Sequence, residues 1–265
     1  LEEEEMSEVR KEGVSIFDPT LCELAYRWFC PPGGLVLDPF AGGSVRGVVA
    51  AQLGREYVGV DLREEQVKAN IQQGEKICSS PMPQWKVGDS RSIDKLCEGV
   101  EADFLFSCPP YADLEVYSDN PRDLSTMRYE EFRVAYFDIV QKSCALLKDD
   151  RFACFVVGEV RGRYGDYYGF VPDTVRAFEN AGLKFYNEMI LVTSVGSLAI
   201  RVGKQFEKSR KIGKTHQNVL VFVKGDPKKA TEAIGPVEFG EISEETLPGE
   251  ESDQQLLSGV SPPCA

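Results

Sequence analysis

Short apolar runs, cut off by turn-forming residues and alternating with helical stretches, restrict this chain to few folds. Leu35-Val36-Leu37 stops at Asp38-Pro39, and Tyr57-Val58-Gly59-Val60 stops at Asp61. Trp85-Lys86-Val87 precedes Gly88, Phe104-Leu105-Phe106 gives way to Pro109-Pro110, and Phe152 to Val157 is continuously apolar. Between and after these runs, Val45 to Leu53, Glu64 to Ile77, Tyr129 to Leu147 and Val171 to Ala181 have helical spacing, and Gly182 suits a helix stop. Runs this short and apolar must be covered on both faces, which predicts an α/β fold with a doubly wound, mostly parallel sheet. Asn187 to Thr193 and Asn218 to Lys224 complete seven strands. Only a loop is expected between these two, so they should pair antiparallel at one side of the sheet.

The chain has 265 residues, 42% of them hydrophobic, which suits one domain with a substantial core. Its net charge of -13 is unevenly spread. Acid crowds the first dozen residues and the stretch after Glu238, so residues 1–14 and 226–265 read as acidic, solvated and disordered tails around a domain at 15–225. No apolar run is long enough to span a bilayer, and Leu1-Glu2-Glu3-Glu4-Glu5 is unlike a signal peptide, so a cytoplasmic protein, bacterial or phage-encoded, is expected. Eight cysteines without a C-x-x-C pair, and one histidine (His216), argue against a metal site. The cysteines other than Cys108 read as small buried hydrophobes.

In doubly wound sheets ligands bind beyond the carboxyl ends of the strands, where the strand order reverses. The first strand is followed there by Asp38-Pro39-Phe40-Ala41-Gly42-Gly43-Ser44, whose glycines let the backbone approach a ligand at a helix N-terminus. Asp61-Leu62, about 20 residues past that turn, puts a carboxylate where ribose hydroxyls bind. Gly88-Asp89-Ser90 suits an adenine amino group, and Ser107-Cys108-Pro109-Pro110-Tyr111 closes the series. Together these four strand ends describe a nucleoside pocket beside a reactive loop.

Those residues resemble the amino-methyltransferases that act on adenine N6 or cytosine N4 in DNA. Val36 to Gly43 resembles the family's D-P-F-x-G motif, Leu53 to Asp61 the stretch that follows it, and His216 to Lys224 the final strand. Phe17-Asp18-Pro19-Thr20 and the helix after it resemble the segment closing over the methionine part of the cofactor, and Cys108-Pro109-Pro110-Tyr111 resembles the catalytic [DNS]-P-P-[YFW] loop. The resemblance implies S-adenosyl-L-methionine as cofactor, held by Phe17, Asp18, Asp38, Phe40, Gly42, Gly43, Asp61, Leu62, Asp89 and Ser90. It implies base flipping and direct methyl transfer to an exocyclic amine, as in restriction–modification enzymes, with Cys108, Pro109, Pro110 and Tyr111 catalytic. An exocyclic amine is a poor nucleophile, so the loop must accept its hydrogen bonds and hold it in line, while the aromatic stacks on the base.

Two departures stand out. The cofactor segments precede the catalytic loop, whereas D-P-F-x-G members commonly have the reverse order, so the chain resembles a circularly permuted relative. The residue before Pro109 is Cys108, a weaker acceptor than Asp, Asn or Ser. Either Cys108 substitutes for serine with the Pro109 carbonyl carrying most of the load, or Ser107 reaches the amine against strand alternation, or the substrate is not a standard base amine. A covalent role for Cys108, as in C5-methyltransferases, has no other support. The serine-like position tilts the reading toward cytosine N4.

Between the last two strands, Ser194 to Thr215 carries Arg201, Lys204, Lys208, Arg210, Lys211 and Lys214 against Glu207. This reversal of charge marks the expected DNA phosphate contact. Asp113 to Met127 reads as a lid that orders on binding. No recognition domain is evident, so either target specificity is low or it comes from a partner or a missing portion of a longer chain. RNA or a protein glutamine amide is the alternative substrate, and an inactive cofactor- and DNA-binding module the alternative of another class.

Overall fold

The computed structural model describes residues 16–111, 118, 120–193 and 198–237, with side chains from residue 202 in the last stretch. Residues 1–14 and 238–265, and with them Cys264, lie outside the described residues, as does the side chain of Arg201. The elements run α1 (Pro19–Phe29), β1 (Leu35–Asp38), α2 (Val45–Gln52), β2 (Glu56–Asp61), α3 (Glu64–Ile77) and β3 (Gln84–Val87). A 3-10 turn (Ser90–Ser92) then leads into α4 (Ile93–Leu96), β4 (Ala102–Ser107), a second 3-10 turn (Leu124–Thr126), α5 (Tyr129–Ala145) and β5 (Leu147–Val157). Last come α6 (Phe170–Asn180), β6 (Lys184–Val192), α7 (Leu198–Ser209), β7 (His216–Lys224) and α8 (Pro227–Ile234).

The strands form one seven-stranded sheet in the order β3-β2-β1-β4-β5-β7-β6. The first five in that order are parallel, and β7 runs antiparallel to both β5 and β6. Strand alternation divides the core into two layers. Phe104 and Phe106 of β4, with Phe152, Cys154 and Val156 of β5, pack among residues of α1 such as Tyr26 and Phe29. Leu105 of β4, with Ala153, Phe155 and Val157 of β5, faces Phe132 and Tyr136 of α5 and Phe178 of α6. No helix among the described residues is long and apolar enough to cross a membrane.

Two expectations are corrected. The segment between β6 and β7 is not all loop, because Leu198–Ser209 is helical. Lys, Arg, Gln and Glu are good helix formers, which the charge-based reading overlooked. The helix ends where Arg210 enters the left-handed region (φ 55°) while its N–H still bonds the Phe206 carbonyl. The domain also does not stop at 225. Asp226 caps Lys228 N at 2.8 Å, Pro227 opens α8, and Ala230 and Ile234 enter the core. The compact unit therefore reaches Gly235.

The proposed lid is divided. Residues 113–117 and 119 lie outside the described residues. Leu124 and Ser125 are buried in the 3-10 turn, which Asp123 caps. That half is packed structure, because one short turn satisfies its polar groups.

Candidate active site

Strand order reverses at β1. It pairs β2 on one side and β4 on the other, so the turn after β1 and the loop after β4 flank one crevice. Asp38, expected among the cofactor ligands, faces the other way. It is fully buried, and its Oδ2 accepts from Arg46 Nε at 2.6 Å and Tyr57 OH at 2.8 Å. Its Oδ1 accepts from Phe40 N at 3.0 Å and from the Ser107 hydroxyl. With both oxygens engaged from four sides, Asp38 supports the turn rather than presenting an acceptor to a ligand. Burial alone would lower the Arg46 pKa, but the Asp38 charge beside it holds the guanidinium above its usual value.

The network fixes the turn one carbonyl at a time. Ser90 Oγ donates to Pro39 O at 2.6 Å, and Arg46 Nη2 to Phe40 O at 2.6 Å and Ala41 O at 2.9 Å. Asn70 Nδ2 donates to Gly42 O at 2.7 Å. Four successive carbonyls are thus turned into the protein. Gly42 sits at φ 49°, and a β-carbon on the exposed Gly43 would meet nothing within 4 Å, so the outer side of the turn is open. Ser90 is buried with its hydroxyl committed to Pro39, and Asp89 is chelated by Arg91 at 2.6–3.1 Å. Both hold the crevice wall in place, so the adenine-binding role expected for them lacks a free group on Ser90.

Asp61 is the carboxylate left facing the crevice. Oδ2 accepts from Gly42 N at 2.9 Å and Oδ1 from Arg63 N at 2.8 Å, which leaves each oxygen a further acceptor site. Burial raises its pKa, opposed by the Arg63 N–H, the Arg63 guanidinium and the Gly42 N–H. Leu62 is half-buried beside it. Phe17 reaches the same network: its ring lies under the Arg46 guanidinium at 4.7 Å and packs on Phe106 at 5.7 Å. Asp18 is exposed and caps α1 through Thr20 N at 2.8 Å.

The loop after β4 presents half-buried Cys108, Pro110 and Tyr111 around a buried Pro109. Ser107 is fully buried. Its hydroxyl donates to Asp38 and accepts from Phe40 N at 3.2 Å, which removes it as an alternative contact to the amine. Cys108 Sγ lies 3.9 Å from the Tyr111 hydroxyl, which also accepts from Gln217 Nε2 at 2.5 Å. The Tyr111 ring meets Phe170 edge-on at 6.1 Å. Gln217 was not among the expected site residues. Its one signal was position, at the start of the strand beside β5. The buried thiols Cys22 and Cys30 are pushed up to about 12 by desolvation, so they stay protonated and inert.

The basic segment does reach this face, but not as a unit. Arg210, Lys211 and Lys214 line a groove of about 770 Å³ opposite Glu159, Arg161, Tyr164 and Tyr167. Lys204 and Lys208 are exposed on α7 and do not line it. The second wall was missed, although Gly162-Arg163-Tyr164-Gly165 between polar residues is a legible turn signal.

Residues 17–72, which hold Phe17, the glycine turn and Asp61, match a family model described as DNA methylase. The match is confined to this segment, about a fifth of the chain. The chain is 43% identical over 51 residues to the type II methyltransferase M.SmaI of Serratia marcescens, which is 19% of this chain and 18% of that protein. It is 42% identical over 40 residues to the DNA adenine methyltransferase YhdJ of Escherichia coli (strain K12), 15% and 14% of the two chains. The chain therefore spans less than a fifth of either curated relative that it matches. The loop Cys108-Pro109-Pro110-Tyr111 lies beyond the segment that the family model matches. Among solved structures, TrmN from Thermus thermophilus aligns with a TM-score of 0.52 at 16% identity, covering 78% of this chain and 49% of that one. The [4+2]-cyclase SpnF aligns at 0.53 and 12%, covering 78% and 81%. Likenesses at such low identity show the fold alone, and two such differently named structures show that the fold does not fix the reaction.

Proposed function

We propose that the chain is an S-adenosylmethionine-dependent DNA methyltransferase acting on an exocyclic amine. The observation that carries this reading is the crevice at the β1/β4 switch, with an open glycine turn on one side and Cys108-Pro109-Pro110-Tyr111 on the other. The pocket suits the cofactor. Gly42 and Gly43 leave the outer side of the turn open to it, Asp61 retains acceptor capacity that would hold a ribose diol, and Phe17 would add an apolar wall beside the Arg46 network. When bound, the cofactor supplies the methyl group.

The chain's own residues then position the base. The Pro109 carbonyl and the Cys108 sulfur accept from the amino group and orient its lone pair, and Tyr111 stacks on the ring. In a duplex the base faces are hidden by stacking, so stacking of the target on Tyr111 makes base flipping part of this reading. Because sulfur is the weaker acceptor, Pro109 carries most of the positioning. The serine-like position favours cytosine N4 over adenine N6. The cofactor segment precedes the catalytic loop, which fits a permuted arrangement, and target choice is assigned to a partner or a further domain.

Asp61→Asn is expected to weaken S-adenosylmethionine binding about tenfold by calorimetry, the loss of a charge-assisted hydrogen bond or two. Its pH dependence carries a sign. Because the folded pKa is raised, protonated Asp61 contributes stability below the unfolded value, and that contribution is lost as pH rises through the folded one. Cofactor affinity should fall on acidification at a pH above the ordinary carboxylate range, and Asp61→Asn should abolish that step. Wild-type affinity in Asp61→Asn at neutral pH would end the assignment.

The overall test is transfer from radiolabelled S-adenosylmethionine to unmethylated duplex DNA, followed by nucleoside digestion and mass spectrometry. N4-methylcytosine or N6-methyladenine is the expected product. Label in RNA or in protein glutamine moves the substrate class. Cofactor and DNA binding without transfer, restored by Cys108→Asp, identifies an inactive module instead.

A further inference from the structure

The groove beside the candidate active site has two walls from distant parts of the chain. One is a short hairpin in which Arg161 bridges Tyr167, and Gly162 N and Gly165 N bond Asp166 O and Gly162 O at 2.8 and 2.9 Å. The other runs from Ser209 to His216. They meet at Gly165, which lies at φ 90° and where any β-carbon would overlap the Lys211 side chain. The groove also begins at the catalytic loop. Gly158 and Gln217 both adjoin Tyr111, and their neighbours Glu159 and His216 line the groove.

The hairpin is braced by its own side chains and its tip is bare. Arg161 donates to Gly165 O at 2.6 Å and to the Tyr167 hydroxyl at 2.9 Å, and its guanidinium stacks on the Tyr167 ring at 4.0 Å. Tyr164, at the turn, is 91% exposed. The lining holds Arg161, Arg210, Lys211 and Lys214 against Glu159 and Asp166, in a chain of net charge -13. Glu159 is turned toward the N-terminus of α6, accepting from Phe170 N and Val171 N at 3.2 and 3.3 Å. The balance facing the groove is therefore cationic, with an aromatic face at its rim. That is the chemistry of a polynucleotide strand with unstacked bases, since charge follows the phosphates and any base can stack on the ring.

We propose that this groove is a single-strand cradle, in which Lys211 and Lys214 take the phosphates flanking the target nucleotide and Tyr164 stacks on a neighbouring unpaired base. This rests on the nucleic-acid reading above and adds a second stacking site to it. A paired duplex hides its base faces, so the contact forms with single-stranded substrate or next to an extruded base.

The test is fluorescence anisotropy of the whole chain with a fluorescein-labelled single-stranded oligonucleotide of mixed sequence and with its duplex, across a salt series. Tyr164→Ala should weaken single-strand binding about tenfold without changing the salt slope, and Tyr164→Trp should retain it. Being so exposed, Tyr164 can be replaced without loss of fold. Lys211→Gln with Lys214→Gln should reduce the slope by about 0.7 per lysine. Unchanged single-strand binding in Tyr164→Ala, with the wild type binding normally, overturns the cradle and leaves the proposed function standing. An equal loss on duplex and single strand also overturns it, as a duplex contact. A wild-type chain that binds neither oligonucleotide removes both readings.

Discussion

Tyr111→Ala is expected to lower kcat/KM for methyl transfer about a hundredfold while leaving cofactor affinity within twofold of wild type. The ring is held on three sides, by Gln217 at its hydroxyl, Phe170 at its edge and Gly158 nearby. That constraint lets it serve as a fixed platform, and the alanine variant loses both the stacking surface and the geometry it imposes. Tyr111→Phe keeps the ring but leaves the Gln217 amide without this acceptor. Its loss should be about tenfold or less and should be matched by Gln217→Leu. Single-turnover rates with saturating cofactor would measure all three. If Tyr111→Ala transfers methyl groups at the wild-type rate, the base does not sit on this residue and the catalytic loop has been misassigned.

Arg46→Ala should be the most destabilising single change in the site, costing about 3–5 kcal/mol in urea unfolding. Asp38 is fully buried, and Arg46 is the cation paired with it at 2.6 Å. Truncating the arginine strands a carboxylate away from water and releases the Phe40 and Ala41 carbonyls that the guanidinium also holds. Small domains are stable by only about 5–15 kcal/mol, so the loss would be a large share of the total. Asp38→Asn combined with Arg46→Met should cost less than the two changes summed, because no charge remains unpaired. A loss under about 1 kcal/mol in Arg46→Ala would mean that water reaches Asp38 and that the turn is not held as described.

Much of this arrangement was legible before any coordinates. Alternating apolar runs and helical stretches gave the seven strands and the antiparallel finish, because a strand apolar on both faces has to be covered on both. The glycine turn, Asp61 and the Pro-Pro-Tyr loop were legible for a related reason: each follows directly on a strand, and strand ends in this architecture converge on one edge. The helical part of the basic segment was obscured because only its charge was read, although Leu198, Val202 and Phe206 recur at four-residue spacing. Residues 227–234 were obscured by acidic neighbours, although Asp226-Pro227 is a helix start and Ala230 and Ile234 are four apart on its inner face.

The sequence by itself determined the fold class, and it proposed the edge of the sheet for the candidate site and a candidate chemistry for the loop after β4. The tertiary structure alone decided which carboxylate keeps free acceptor sites. Asp38 and Asp61 both end apolar strands, and nothing local separates them. Asp38 is buried because Arg46, Tyr57 and Ser107 arrive from three other elements to satisfy it, whereas Asp61 keeps acceptor sites toward the crevice. The same holds for Tyr164 and Lys211, 47 positions apart by their numbers, which share a groove because the hairpin and the segment before β7 meet at a residue without a side chain. Periodicity reports how a residue sits on its own element. Whether its polar group is consumed or left available depends on partners that folding brings from elsewhere in the chain.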